Sequence, residues 1–197
     1  YNGDFNEIKN NLNQCIEAVN LLISDSNLLA SEAVGGHLDT RADATKHQGD
    51  FRTIVEGVNN TLDAVIGPLN VAAEYVDRIS KGDIPPKITD SYNGDFNEIK
   101  NNLNQCIEAV NLLVSDARFL AQAAVDGKLD TRADATKHLG DFRKIVEGVN
   151  GTLDAVIGPV KEAMRVAERY AKADFSTRVD ENLRVAGDFV LFKNSLN

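Results

Sequence analysis

The chain has 197 residues, and 21 Lys and Arg against 30 Asp and Glu leave it with a net charge of −9. Without a cluster of basic residues, that balance argues against nucleic acid or an anionic membrane surface as a partner. No apolar run approaches the roughly 18–20 residues that span a bilayer, and no signal peptide is visible.

The elements follow an internal repeat. Residues 1–25 recur at 92–116 with 24 of 25 positions identical, and DTRADATKH, IVEGVN and TLDAVIGP recur at the same 91-residue offset. Inside it, Gly-Asp-Phe appears at 3–5, 49–51, 94–96, 140–142 and 187–189. Each Phe is followed by apolar residues three and seven positions on, then by Asn: Ile8, Leu12 and Asn13; Ile54, Val58 and Asn59; Ile99, Leu103 and Asn104; Ile145, Val149 and Asn150; Phe192, Leu196 and Asn197. Steps of three and four place these side chains on one helical face.

The first helix starts at Phe5 and ends before a polar linker, 35–49. The second carries Ile54, Val58, Leu62, Val65, Leu69, Ala72, Val76 and Ile79 in one stripe, and the fourth carries Ile145, Val149, Leu153, Val156, Val160, Ala163, Ala167 and Tyr170. Both stripes are heptad seams with two consecutive steps of four, a local phase shift that unwinds a coiled coil. Further linkers are expected at 81–94, 126–140 and 173–187. Gly36, Gly82 and Gly127 stand where a helix C-terminus needs them. Each linker offers two apolar residues four apart: Leu38 and Ala42, Ile84 and Ile88, Leu129 and Ala133, Phe175 and Val179. Pro85 and Pro86 predict an extended second linker. Asp4, Asp50, Asp95, Asp141 and Asp188 can cap the following helices or favour their dipoles.

A helix of about 16 residues, a linker with glycine and two spaced hydrophobes, and a second helix opening on an acidic residue together resemble the HAMP domain, which links sensors to outputs in chemoreceptors, histidine kinases and adenylyl cyclases. The doubling looks most like the poly-HAMP stretches of bacterial chemoreceptors. Four units can be drawn, 21–65, 66–110, 111–156 and 157–197, with 1–20 as the second helix of a preceding unit. Pro68 and Pro159 match the proline that opens a HAMP first helix, and Gly36, Gly82 and Gly127 match its connector glycine, which Ala173 replaces in the last unit. Two departures stand out. The family's Glu, followed two residues on by Gly, is here Asp, with Asn6, Arg52, Asn97, Arg143 and Val190 at the Gly position. Units one and three have Leu-Leu where the others have Gly-Pro. The resemblance implies an all-α fold in which each unit is a parallel four-helix coiled coil formed by a homodimer. The linker's apolar pair would pin it to the bundle, and each second helix would run on as the next first helix.

At the aligned first-helix core positions, units one and three offer Ile23, Ser26, Ala30, Ala33 and Val114, Ala117, Ala121, Ala124. Units two and four offer Leu69, Ala72, Val76, Ile79 and Val160, Ala163, Ala167, Tyr170. An Ala-rich seam forgoes about 2–5 kcal/mol at each position where a buried Leu or Ile could stand. The odd units are therefore expected to pack more loosely, or with Leu22, Leu29, Leu113 and Leu120 turned inward. Two packings separated by a few kcal/mol make a relay. The expected function is a signal relay between a sensor and an output domain of the same chain, in the cytoplasmic part of a receptor. A static coiled-coil spacer and a monomeric helical solenoid are the alternatives.

No enzyme, cofactor or metal signature emerges: there is no phosphate loop, His-Glu-x-x-His helix or serine elbow. His37, His47 and His138 read as solvated linker residues. Asp39, Asp43, Asp130 and Asp134 lack calcium-loop spacing and read as a solvated face. Cys15 and Cys106 form neither a disulfide framework nor a metal site and suit a reducing compartment; they read as small buried fillers, with redox sensing as the alternative. The repeated Asn residues either set packing register or lie on the surface. Starting at Tyr1, the chain is expected to be a piece of a longer protein.

Overall fold

Each stretch carrying the Gly-Asp-Phe pattern opens a helix. The computed structural model describes residues 3–196, so Tyr1 and Asn197 of the repeat pattern lie outside the described residues. Four long helices, α1 (Asp4–Val34), α2 (Gly49–Ser80), α3 (Gly94–Val125) and α4 (Gly140–Ala171), precede a shorter α5 (Asp188–Leu196). Four connectors lie between them, 35–48, 81–93, 126–139 and 172–187, of which the first and third contain a single 3₁₀ turn. The described residues contain no strand, as the all-α expectation requires.

At 31 or 32 residues, each long helix spans about 46–48 Å. Each crosses one of the positions 20/21, 65/66, 110/111 and 156/157 without interruption. Pro68 and Pro159 each lie inside a running helix, α2 or α4, as the unbroken stripes require. A proline there removes one backbone donor, so the carbonyl of Ala64 or Ala155 loses its helical partner. Gly67 and Gly158, directly before the rings, present no Cβ to crowd them.

All four connectors leave their helices in the same way. Gly36 N–H reaches the Ala33 carbonyl at 3.1 Å, and His37 N–H reaches that of Glu32 at 2.9 Å. The same pair of bonds forms from Gly82 and Asp83, from Gly127 and Lys128, and from Ala173 and Asp174. This is the Schellman closure, which demands a left-handed residue. Gly36, Gly82 and Gly127 have φ of 82°, 78° and 70°, and Ala173 takes the same place at 60°, the only non-glycine with positive φ among the described residues. At the far end of each connector, the Gly of Gly-Asp-Phe also turns left-handed, as at Gly49 with φ 54°.

The chain divides into two compact regions, Tyr1–Leu103 and Asn104–Asn197, with the boundary inside α3. In the first, Ala18 and Leu21 of α1 share a cleft with Phe51 of α2, and Leu22 and Leu29 meet Val55 and Val58 further along. The two series rise together, so α1 and α2 run parallel, and the connector between them must run back along the pair. In the second region, Ala109 and Leu112 meet Phe142 in the same manner, and α5 packs on α4. The buried core is thin: Ala42, Val55, Ile66 and Ile88 in the first region, and Ile107, Ala123, Ala133, Val146, Val166 and Val179 in the second.

Candidate functional site

The features that could carry a function are the four connectors and the helix faces beside them. Of each connector's apolar pair, the second residue is buried: Ala42, Ile88, Ala133 and Val179 are between 3 and 6% exposed. The first stays at the surface or half-buried, with Leu38 and Phe175 exposed and Ile84 and Leu129 intermediate. Within one chain, each connector thus buries one residue of its apolar pair.

The first and third connectors add polar ties that repeat atom for atom. Asn59 Oδ1 accepts from Ala42 N–H at 3.1 Å and its Nδ2 donates to the Ala42 carbonyl at 2.8 Å; Asn150 holds Ala133 at the same two distances. Arg41 donates to the Leu38 and Thr40 carbonyls and, through both Nε and Nη2, to the single oxygen Asp63 Oδ1 on α2; Arg132 does the same with Leu129, Thr131 and Asp154 Oδ1. Asp43 and Asp134 accept from the hydroxyl and backbone N–H of Thr45 and Thr136, which shapes the 3₁₀ turn and holds both carboxyls below the usual range. The turn delivers His47 and His138 inward. Their side chains are 1% exposed, and each Nε2 lies 2.7 Å from a carboxylate, Asp25 on α1 or Asp116 on α3.

The solvated reading of His47 and His138 is therefore wrong, whereas His37 is exposed and pairs with Glu32 at 2.9 Å. A lone linker histidine carries no sign of burial. The missed signal lies in the doubling, which keeps His47 with Asp25 and His138 with Asp116 at one spacing. The Asn alternatives resolve for Asn59 and Asn150, which set register. Asp39, Asp43, Asp130 and Asp134 are exposed, and Asp130 pairs with Lys161.

The other two connectors bury different side chains. In the second, Pro85 is fully buried, and Ile88 and Tyr92 close an apolar pocket with Pro68, Val71 and Phe96. In the fourth, Glu162 accepts from Arg165 and from Asp180 N–H at 2.7 Å, and these bonds pull its carboxyl from 4.5 down to about 2, the Arg165 bond most. Tyr170 reaches the Thr177 and Leu196 carbonyls and stacks at a tilt on Phe175 with 5.8 Å between rings.

At the helix starts, Asp4, Asp50 and Asp141 lie in the first turn of α1, α2 and α4, where no side chain caps a backbone N–H, so they act on the dipole. Asp95 and Asp188 occupy the first turns of α3 and α5.

Much of the seam is open in the single chain. Ile54, Val58, Val65, Leu69 and Val76 along α2 are 42–56% exposed in the single chain, and Ile145, Val149 and Val156 of α4 and Ile8, Leu12, Ile16, Val19 and Ile23 of α1 are exposed as well. The Ala-rich sets around Ile23 and Val114 are exposed throughout, whereas Leu22, Leu29, Leu113 and Leu120 are half-buried against their own chain. Ala72, Ile79, Val160, Ala163 and Tyr170 are half-buried. Cys15 and Cys106 are free and exposed, not buried fillers. The described residues contain no cluster of His, Cys, Asp and Glu suited to a metal, and no helix long and apolar enough to cross a membrane.

In comparison with known families, the model of the HAMP domain matches at residues 46–112 and again at 137–197, two starts one 91-residue repeat apart.

Proposed function

The chain belongs to the HAMP domain family of signal-relay modules, whose role is not catalytic, and from that premise we propose that it is a relay array working as a parallel homodimer. In this reading residues 21–65, 66–110, 111–156 and 157–197 are four successive units, and 1–20 end a preceding one. Each unit pairs two helix segments of one chain with two of the partner. Residues of the connectors (Leu38, Ile84, Leu129 and Phe175) complete their seats against the dimer. The array passes a change of helix packing from a sensor to an output domain of the same chain, in the cytoplasmic part of a receptor such as a chemoreceptor.

The observation that carries this reading is the exposed apolar seam. A stripe such as Ile54–Val58–Val65–Leu69–Val76 on a long helix is far more than the scattered exposed hydrophobics of a monomer, and its heptad spacing is that of a coiled-coil contact. The relay, as opposed to a spacer, is supported by the difference between the small-residue sets of the odd units and the bulkier sets of the even ones, since a fixed strut gains nothing from a seam that changes quality along its length. Sedimentation equilibrium tests the pairing: a mass of twice 21.4 kDa is expected, and a folded monomer at high concentration would overturn it. Inter-chain cross-linking at Leu22→Cys and Leu69→Cys with and without input tests the switching, and patterns that never change would leave only the spacer.

A further inference from the structure

The geometry points to the His47–Asp25 pair, and its copy His138–Asp116, as a rotational lock that holds the helix ahead of each tied connector in one of two packings. The inference rests on the relay reading above and names the element that separates its two states.

Leu22, Asp25 and Leu29 stand three and four residues apart and so share one face of α1. That face meets Ala42 of the connector and Val55 of α2. Ile23, one residue or about 100° further round, lies on the exposed seam and is 53% exposed. The alternative packing turns Leu22 and Leu29 toward the partner chain in place of Ile23. A rigid helix cannot do this without taking Asp25 along. Half of that turn carries a side-chain tip, about 6 Å from the helix axis, through about 5 Å. The 2.7 Å bond to His47 does not survive such a displacement. It would leave an imbedded imidazole, 1% exposed, without its carboxylate, and an unpaired buried polar group is the costly outcome.

The second copy repeats the arrangement with Leu113, Asp116, Leu120 and His138, and with Val114 on the seam. The other ionisable groups around the two clefts are Glu17 and Lys46 in the first, and Glu108 and Lys137 in the second. The second connector has no such lock. The aligned positions are Val71 and Tyr92, which meet in an apolar pocket, and Val71 has no side-chain group to form a directed bond. Packing of that kind weakens gradually with rotation, whereas a hydrogen bond between a carboxylate and an imidazole fails within a short displacement. Two states with a threshold between them therefore occur at the first and third connectors and not at the second.

The test uses the full chain with Cys15→Ser and Cys106→Ser and reads the ratio of inter-chain disulfide formed by Leu22→Cys to that formed by Ile23→Cys. In the parent background Ile23→Cys should dominate. Asp25→Ala, which removes the acceptor, should shift the ratio several-fold toward Leu22→Cys, and Asp25→Asn, which keeps an oxygen for the imidazole N–H, should return it toward the parent value. A ratio unmoved by Asp25→Ala, or moved equally by Ala and Asn, overturns the lock. Loss of helical circular dichroism in both Asp25→Ala and Asp116→Ala also overturns it, because the pair would then hold the fold together instead of selecting a packing. Failure of cross-linking at both sites together with a monomeric sedimentation mass defeats the relay reading itself, and with it the lock. Strong cross-linking at both sites with a fixed ratio defeats the lock alone.

Discussion

The first and second connectors start alike, with a Schellman closure at Gly36 or Gly82, and end alike, at a left-handed Gly before Asp-Phe. Between these ends they bury different side chains. The first buries a small residue, Ala42, and depends on Asn59, Arg41 and His47 for bonds to both neighbouring helices. The second buries Ile88 and Pro85 and closes an apolar pocket with Tyr92. The magnitudes balance. Exchanging Ala for Ile adds about three buried carbons, or about 2.4 kcal/mol at 0.8 per methylene, and two backbone-directed hydrogen bonds contribute about 1–3 kcal/mol net. The larger buried side chain at Ile88 and the pair of backbone-directed bonds at Ala42 are thus of comparable weight.

The strongest way to break this comparison is to attack what both connectors sit beside. Val58→Asp and Leu69→Asp each place a charge in the exposed seam, the first beside the tied connector and the second beside the apolar one. In a paired seam an uncompensated buried carboxylate costs about 3–5 kcal/mol, so both variants should sediment as monomers at concentrations where the parent is dimeric. If only one dissociates, the contrast between connectors extends to the interface.

A smaller effect sharpens the contrast. Ile88→Ala should destabilise by about 2–5 kcal/mol through a cavity, and Asn59→Ala by about 1–3 kcal/mol through the unsatisfied Ala42 backbone groups. Urea unfolding midpoints measure both. Asn59→Asp, which keeps an acceptor for Ala42 N–H and loses the donor to its carbonyl, should fall between the parent and Asn59→Ala. Recovery of full stability in Asn59→Asp would show that the 2.8 Å bond to the carbonyl contributes nothing.

Much of this was legible in the sequence, for a physical reason. Helix positions follow from period, and the five copies of Gly-Asp-Phe repeat it, so α1 to α5 and their connectors stand where the stripes predict. The connector glycines were legible because only a left-handed residue closes the helix end. The second member of each apolar pair was readable as a pin, but the exposure of Leu38 and Phe175 was not, since spacing alone does not reveal which neighbour supplies a seat. The histidines were hidden for the opposite reason. Burial of a polar ring depends on a partner 22 residues away, at Asp25 or Asp116, and no local pattern records a contact that the connector makes only after folding back. The unbroken helices through Pro68 and Pro159 were legible in the apolar stripes, which cross both prolines without a polar gap.

The fourth connector carries a pH handle of its own. Glu162 has its folded carboxyl lowered from 4.5 to about 2, chiefly by Arg165. Between those values the unfolded chain binds a proton that the folded chain does not, so stability rises with pH. The contribution is complete above about pH 4.5 and is lost as the pH falls toward 2. Thermal unfolding at pH 5 and pH 3 should show a larger drop for the parent than for Glu162→Gln, whose side chain does not titrate. Equal drops would mean that the bonds to Arg165 and Asp180 are not held in solution.

The smallest effect concerns the one place where the shared geometry is kept by an unsuitable residue. Ala173 closes the C-terminus of α4 at φ 60°, where its three counterparts are glycine. An L-residue with a Cβ costs about 1–2 kcal/mol there. Part of that is recovered because alanine has less freedom to lose from the unfolded chain than glycine. Ala173→Gly should therefore stabilise the second region by about 1 kcal/mol or slightly less, seen as a rise in its urea midpoint with an unchanged slope. The reverse substitution, Gly127→Ala, moves the third connector into the condition of the fourth and should cost about the same. If Ala173→Gly destabilises instead, the closure at α4 does not depend on the left-handed residue, and the bonds from Ala173 and Asp174 N–H to Tyr170 and Arg169 must be supported by the packing of Tyr170 against Phe175.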